Sequence, residues 1–266
     1  MRKCSGQEET NKPQNHKVKA DMKIKNLFIS TAVLVALVAC AGSNKTNASA
    51  VYSAEAGKVL GAEEQSKLTP DKVIENLKQG NKEFSSNKLS LKNSTERVRN
   101  AAKGQYPEAV ILSCLDSRVP VEDVFHRGIG DVFVARVAGN IVNPDILGSM
   151  EYACKVSGAK LIVVLGHGHC GAVKSAINEV ELGNITGLLD KIKPAVEQSK
   201  ANFQGETSSA NPEFVEKVCH THVELMVHEI RQNSPILKEM EDKGEIKIVG
   251  AIYDMESGAV AFFENI

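Results

Sequence analysis

Three short apolar runs, residues 109–113, 132–137 and 160–166, constrain this chain more than any other feature. They are β-branched and continuous rather than alternating, the pattern of strands covered on both faces, as parallel sheets require. Helical patterns separate them at 121–125 and 145–157, and others follow at 171–181, 185–201 and 212–231. A fourth strand is predicted over 246–252, with 260–263 pairing to it across the Ser257-Gly258 turn. This alternation predicts the α/β class: a single domain with a mostly parallel central β-sheet flanked by helices. An N-terminal helical arm precedes the sheet. Thr69-Pro70-Asp71 starts one helix running to about Ser85, and a second covers 94–103. At 266 residues and 42% hydrophobic content, the chain can build one well-cored domain. It contains no Trp, so Val, Ile, Leu and Ala must fill that core.

Functional groups gather at the carboxyl ends of strands in open parallel sheets. Cys114 ends the first predicted strand and His167 the third, so both should emerge at one edge. Cys170 follows where the next helix begins, a position that favours the thiolate. Two thiolates and an imidazole with one position left over form an accepted catalytic zinc arrangement, because structural zinc sites close with four protein ligands. Taken singly, each of these residues is more often packing or a satisfied hydrogen-bonding group, and it is their joint placement that points to metal. Asp116 can accept a hydrogen bond from a metal-bound water or ligate the metal as a fourth group. Arg118 can lock that carboxylate with two parallel N–H bonds.

The first forty residues carry a different message. Met22-Lys-Ile-Lys25 is basic, thirteen uncharged residues follow from Leu27 to Ala39, and Leu37-Val-Ala-Cys40 ends the stretch. That is short for a bilayer span and matches a secretory signal, with 1–21 as an upstream extension. The small residue before Cys40 resembles a bacterial lipoprotein signal, which predicts export to the periplasm or cell envelope and a lipid on Cys40. The alternative is a soluble secreted chain cut after Ala48-Ser-Ala50. Residues 1–39 hold seven Lys/Arg and three Asp/Glu out of 32 and 33, so the exported remainder is mildly acidic. With a net charge of −1 and no basic stripe, nucleic acid is not an expected partner. Residues 41–66 read as a flexible tether, and 67–266 as the domain. Cys154 and Cys219 read as buried small hydrophobes, a bridge between them being left open.

Cys114-Leu-Asp-Ser-Arg118 and Gly166-His-Gly-His-Cys-Gly-Ala172 resemble the two motifs of the β-class carbonic anhydrases. Arg136-Val-Ala-Gly-Asn140 is similar to the segment between them, and the resemblance runs from about residue 70 to 266. It implies one Zn²⁺ per chain on Cys114, His167 and Cys170, with Asp116 and Arg118 beside it. It further implies reversible hydration of CO₂ to bicarbonate and a proton through zinc-bound hydroxide. Gln105 falls where plant-like members place an amide that binds bicarbonate, and Phe133 and Tyr152 where aromatics line their cleft. In the family these three sit at a dimer interface, so a homodimer or higher multiple is implied. Ile111 replaces the Trp of members with a bicarbonate-regulated closed site, which favours the open form. His169, between two ligands, reads as a solvated loop residue, with proton transfer as its alternative.

Two rival functions share these residues. One is hydrolysis of carbonyl sulfide or carbon disulfide on the same metal. The other is a structural or redox zinc module in which Asp116 closes the site. Cys219-His-Thr-His222 could suggest a second metal, but without a further ligand it reads as a helix with incidental histidines.

Overall fold

In a computed structural model of the chain, residues 57–88, 92 and 94–263 are described. The predicted leader, its extension, Cys40 and most of the tether lie outside them. Four strands run parallel: β1 (Ala109–Ser113), β2 (Val132–Arg136), β3 (Leu161–His167) and β4 (Lys247–Tyr253). The fifth, β5 (Val260–Phe262), is antiparallel to β4, and the order is β2-β1-β3-β4-β5. Every residue of β1 and β3 is buried, as their unbroken apolar sequences demand.

Side chains of the central strands divide by parity between two cores. Val110, Leu112, Cys114, Ile162 and Val164 face one layer. It contains α5 (Pro144–Glu151), α6 (Gly171–Ile177), α8 (Lys193–Asn202), α9 (Pro212–Asn233) and α10 (Pro235–Asp242). Ala109, Ile111, Leu161, Val163 and Leu165 face the other, against α2 (Pro70–Ser85) and α4 (Val121–Val124). The N-terminal helical arm is α2 and α3 (Ser94–Ala101), and α2 lies on the domain's own sheet through Val73 and Leu77, both fully buried. Thr69 caps α2 by accepting the Lys72 N–H at 3.2 Å, with Pro70 in its first turn.

Several boundaries differ from the sequence reading. The packed structure starts before residue 67, because α1 (Ala62–Ser66) falls within the predicted tether. Gln65 anchors it, donating to the carbonyls of Pro107 and Ser157 at 2.8 Å each. The helix expected over 185–201 is two, α7 (Gly183–Leu189) and α8, with Pro194 in the first turn of the second. Proline lacks the N–H that a helix interior needs, so the break falls there. The helix after Cys170 stops at Ile177, and Glu179 then adopts a left-handed φ of 54°. The pattern at 145–157 is α5 followed by a wider π-type turn at Tyr152–Val156. Among the described residues no helix is long and apolar enough to cross a membrane.

Candidate metal centre

β1 and β3 are adjacent and parallel, so their carboxyl ends deliver Cys114 and His167 to one edge. A tight turn through Gly168 and His169, the latter at φ 54°, reverses the chain and returns Cys170 to the same place. Cys114, His167 and Cys170 are all buried, and their ligand atoms lie within 4.8 Å of one another. The two sulfurs are 4.0 Å apart. Two ligands of a tetrahedral zinc at about 2.3 Å each would stand about 3.8 Å apart, so the pair fits without rearrangement. His167 Nδ1 lies 2.8 Å from the Gly168 carbonyl, which can only accept. The proton therefore sits on Nδ1, leaving the Nε2 lone pair as the ligating one. Nε2 is buried and has no hydrogen-bond partner among the described residues, as a metal ligand would.

The charge environment is asymmetric. The Cys170 thiol and the Gly139 N–H hold Cys114 well below the ordinary thiol range, while Cys114 and burial push Cys170 up. Metal ligation requires both sulfurs as thiolates, so binding releases the protons they carry.

Asp116 and Arg118 form the expected pair. Arg118 donates from Nε and from a terminal nitrogen to the two carboxylate oxygens at 2.9 and 2.7 Å, and its backbone N–H adds a third bond at 3.0 Å. The guanidinium holds the Asp116 carboxyl well below the usual carboxylate range. With both oxygens engaged, Asp116 is not among the grouped ligand atoms, which leaves three protein donors. Arg136 fastens the loop beneath, donating to the carbonyls of Cys114 at 3.1 Å and Asp116 at 2.6 Å. Its position inside a motif was visible in the sequence; its part in holding the Asp116 loop was not.

The other predicted residues lie elsewhere in the chain. Gln105 is exposed in the loop before β1, at the opposite end of that strand from Cys114. Phe133 pairs with Val110 in the first half of the sheet register, and its ring meets Tyr152 edge-on at 6.4 Å. These two rings help line a cavity of about 610 Å³ with Pro144 and Ser149. A single chain therefore does not bring Gln105, Phe133 and Tyr152 to its own metal ligands. Ile111 is fully buried in the core under α2. His169 is half-exposed, 3.9 Å from Glu256. Cys154 and Cys219 are free and buried, and burial pushes both thiols up to about 12.

Residues 109–260 match the family described as carbonic anhydrase. The chain belongs to the carbonic anhydrase family. Among its relatives, carbonic anhydrase 2 of Mycobacterium tuberculosis is 33% identical over 196 residues, covering 71% of this chain and 91% of that protein. A β-carbonic anhydrase structure from Aspergillus fumigatus is similar at 26% identity with a TM-score of 0.58, over 72% of this chain and 88% of that one. One from Sordaria macrospora, described as tetrameric, is similar at 26% identity and a TM-score of 0.56, over 63% and 86%. Zinc is the metal of β-class enzymes, and this donor set suits it.

The sequence reading also missed the backbone contacts that surround Cys114. The Gly139 N–H lies 3.3 Å from the Cys114 sulfur, and the Gly139 carbonyl lies 2.7 Å from His222 Nε2. His222 is buried and bonded, not incidental. The Gly139-Asn140 pair, the usual sign of left-handed backbone, was the available signal for that turn.

Proposed function

We propose that this chain hydrates CO₂ reversibly to bicarbonate and a proton, with Cys114, His167 and Cys170 holding the zinc. The observation that carries the reading is the Asp116–Arg118 pair beside a three-donor site, since a purely structural site has no use for it. When bound, zinc supplies the Lewis acidity that brings the ionisation of water towards neutral pH. Asp116, kept ionised and aimed by Arg118, is the acceptor for the nucleophile's hydrogen and sets its orientation.

Gln105, Phe133 and Tyr152 serve the site of a second copy of the chain in this reading, with the Gln105 amide donating to an oxygen of the developing bicarbonate. Support comes from β2, an edge strand whose Val132, Phe133 and Val134 are only half-buried, and from the half-exposed Tyr152. Mixing a Gln105→Ala chain with a Cys114→Ser chain should recover activity that neither has alone. We further propose export and lipid attachment at Cys40. Cys40→Ser should then release the protein from the membrane fraction.

The deciding assay is stopped-flow CO₂ hydration by the zinc-loaded chain. Full activity after zinc removal would refute the reading, and turnover of carbonyl sulfide without CO₂ hydration would assign the alternative substrate.

A further inference from the structure

We propose that α9 braces the metal centre, with His222 as the positioning residue for the ligand Cys114. The inference rests on the zinc reading above and concerns what holds the ligands in place.

α9 runs close behind the carboxyl end of β3 because Gly166 presents no side chain. A Cβ there would stand 2.6 Å from Val223 Cγ2 and 2.8 Å from Ile252 Cδ1. His222, the residue before Val223, turns to the site. His222 is 1% exposed, and its Nε2 meets the Gly139 carbonyl at 2.7 Å. A carbonyl can only accept, so the imidazole proton must lie on Nε2. Nδ1 is buried without a partner among the described residues, which is the arrangement of a neutral ring. Burial also keeps the ring neutral, its pKa falling to about 4.

Gly139 is gripped from both sides. Its carbonyl is held by His222, and its N–H is given to the Cys114 sulfur at 3.3 Å. This requires a left-handed φ of 70° and a space that Ile192 Cδ1, 2.6 Å from any Cβ, denies to a side chain. Cys114 is therefore tied to α9 by way of Gly139. A hydrogen bond to a ligating thiolate draws density from the sulfur and fixes its direction, and such outer contacts set metal affinity.

The test compares full-length wild type with His222→Leu, which loses the donor, and His222→Gln, whose amide nitrogen can replace Nε2. Leu77→Ala, buried on the far face of the sheet, serves as a control that is destabilised but remote. Zinc affinity is read by competition with a chromophoric chelator, and ligand geometry by the thiolate-to-cobalt charge-transfer band of the Co²⁺ form.

His222→Leu should bind zinc roughly 10- to 100-fold more weakly with a shifted cobalt band. His222→Gln should restore both, and Leu77→Ala should change neither. Equal affinities and spectra in all variants would overturn the proposal, as would failure of Gln to do better than Leu. Should His222→Leu not fold, His222→Asn, whose shorter amide falls short of the Gly139 carbonyl, carries the same comparison against Leu77→Ala. A wild-type chain that takes up no zinc would instead refute the metal reading, and this role with it.

Discussion

Gly166→Ala offers the sharpest test of how closely α9 is seated. The new methyl would lie 2.6 Å from Val223 Cγ2 and 2.8 Å from Ile252 Cδ1, distances at which something must move. Val223 is fully buried and Ile252 nearly so, so neither can swing into solvent. Overpacking of this kind costs about 1–3 kcal/mol. Restricting the unfolded chain returns about 0.4–1 kcal/mol, leaving a net loss of about 1–2 kcal/mol. Val223→Ala alone deletes two buried methyl groups and should cost about 2 kcal/mol. In the double variant the added methyl occupies space the deleted ones vacate. The two losses should then fall short of their sum by about 1 kcal/mol or more. Denaturant unfolding of all four proteins at one concentration measures the cycle. Strict additivity would refute the contact between β3 and α9 and remove the support it gives to the metal-centre brace.

Three further outcomes follow from the same geometry. Asp116→Asn should retain zinc, measured by metal analysis, while stopped-flow CO₂ hydration falls about 10²-fold or more; because Arg118 keeps the wild-type carboxylate ionised, no activity loss assignable to Asp116 should appear down to about pH 4. His222 has an ordinary pKa of 6.5 and a folded value of about 4, so between them only the unfolded chain takes the proton. Stability is therefore lost as pH falls through that window, by about 3 kcal/mol, and unfolding midpoints at neutral and acid pH should show a smaller loss in His222→Gln. Cys154 and Cys219, buried with raised thiol pKa values, should resist a thiol reagent in the native protein and react only on unfolding.

Strand positions were legible because a parallel sheet buried on both faces favours continuous apolar residues, and β1 and β3 carry such runs up to Ser113 and His167 at their carboxyl ends. Helix ends were less so. Ser234-Pro235 starts α10 with the same signature that Thr69-Pro70 gives α2, yet the helical pattern predicted over 212–231 stops short of it and α10 was not predicted. Of the candidate site, the ligands and the Asp116–Arg118 pair were readable because each motif is local in sequence. The contacts behind them were not, since Gly139 and His222 are 83 residues apart.

By itself the sequence determined the class of fold, the donor set and the edge at which it gathers. These depend on local pattern and on the rule that parallel strands present their carboxyl ends together. Only the tertiary structure decided that His167 offers Nε2, that both oxygens of Asp116 face Arg118, and that Gln105 stands at the far end of its own strand. It also decided that α9 reaches the ligands. Hydrogen-bond direction and distance between remote segments are set by how the layers pack, and no local pattern encodes them.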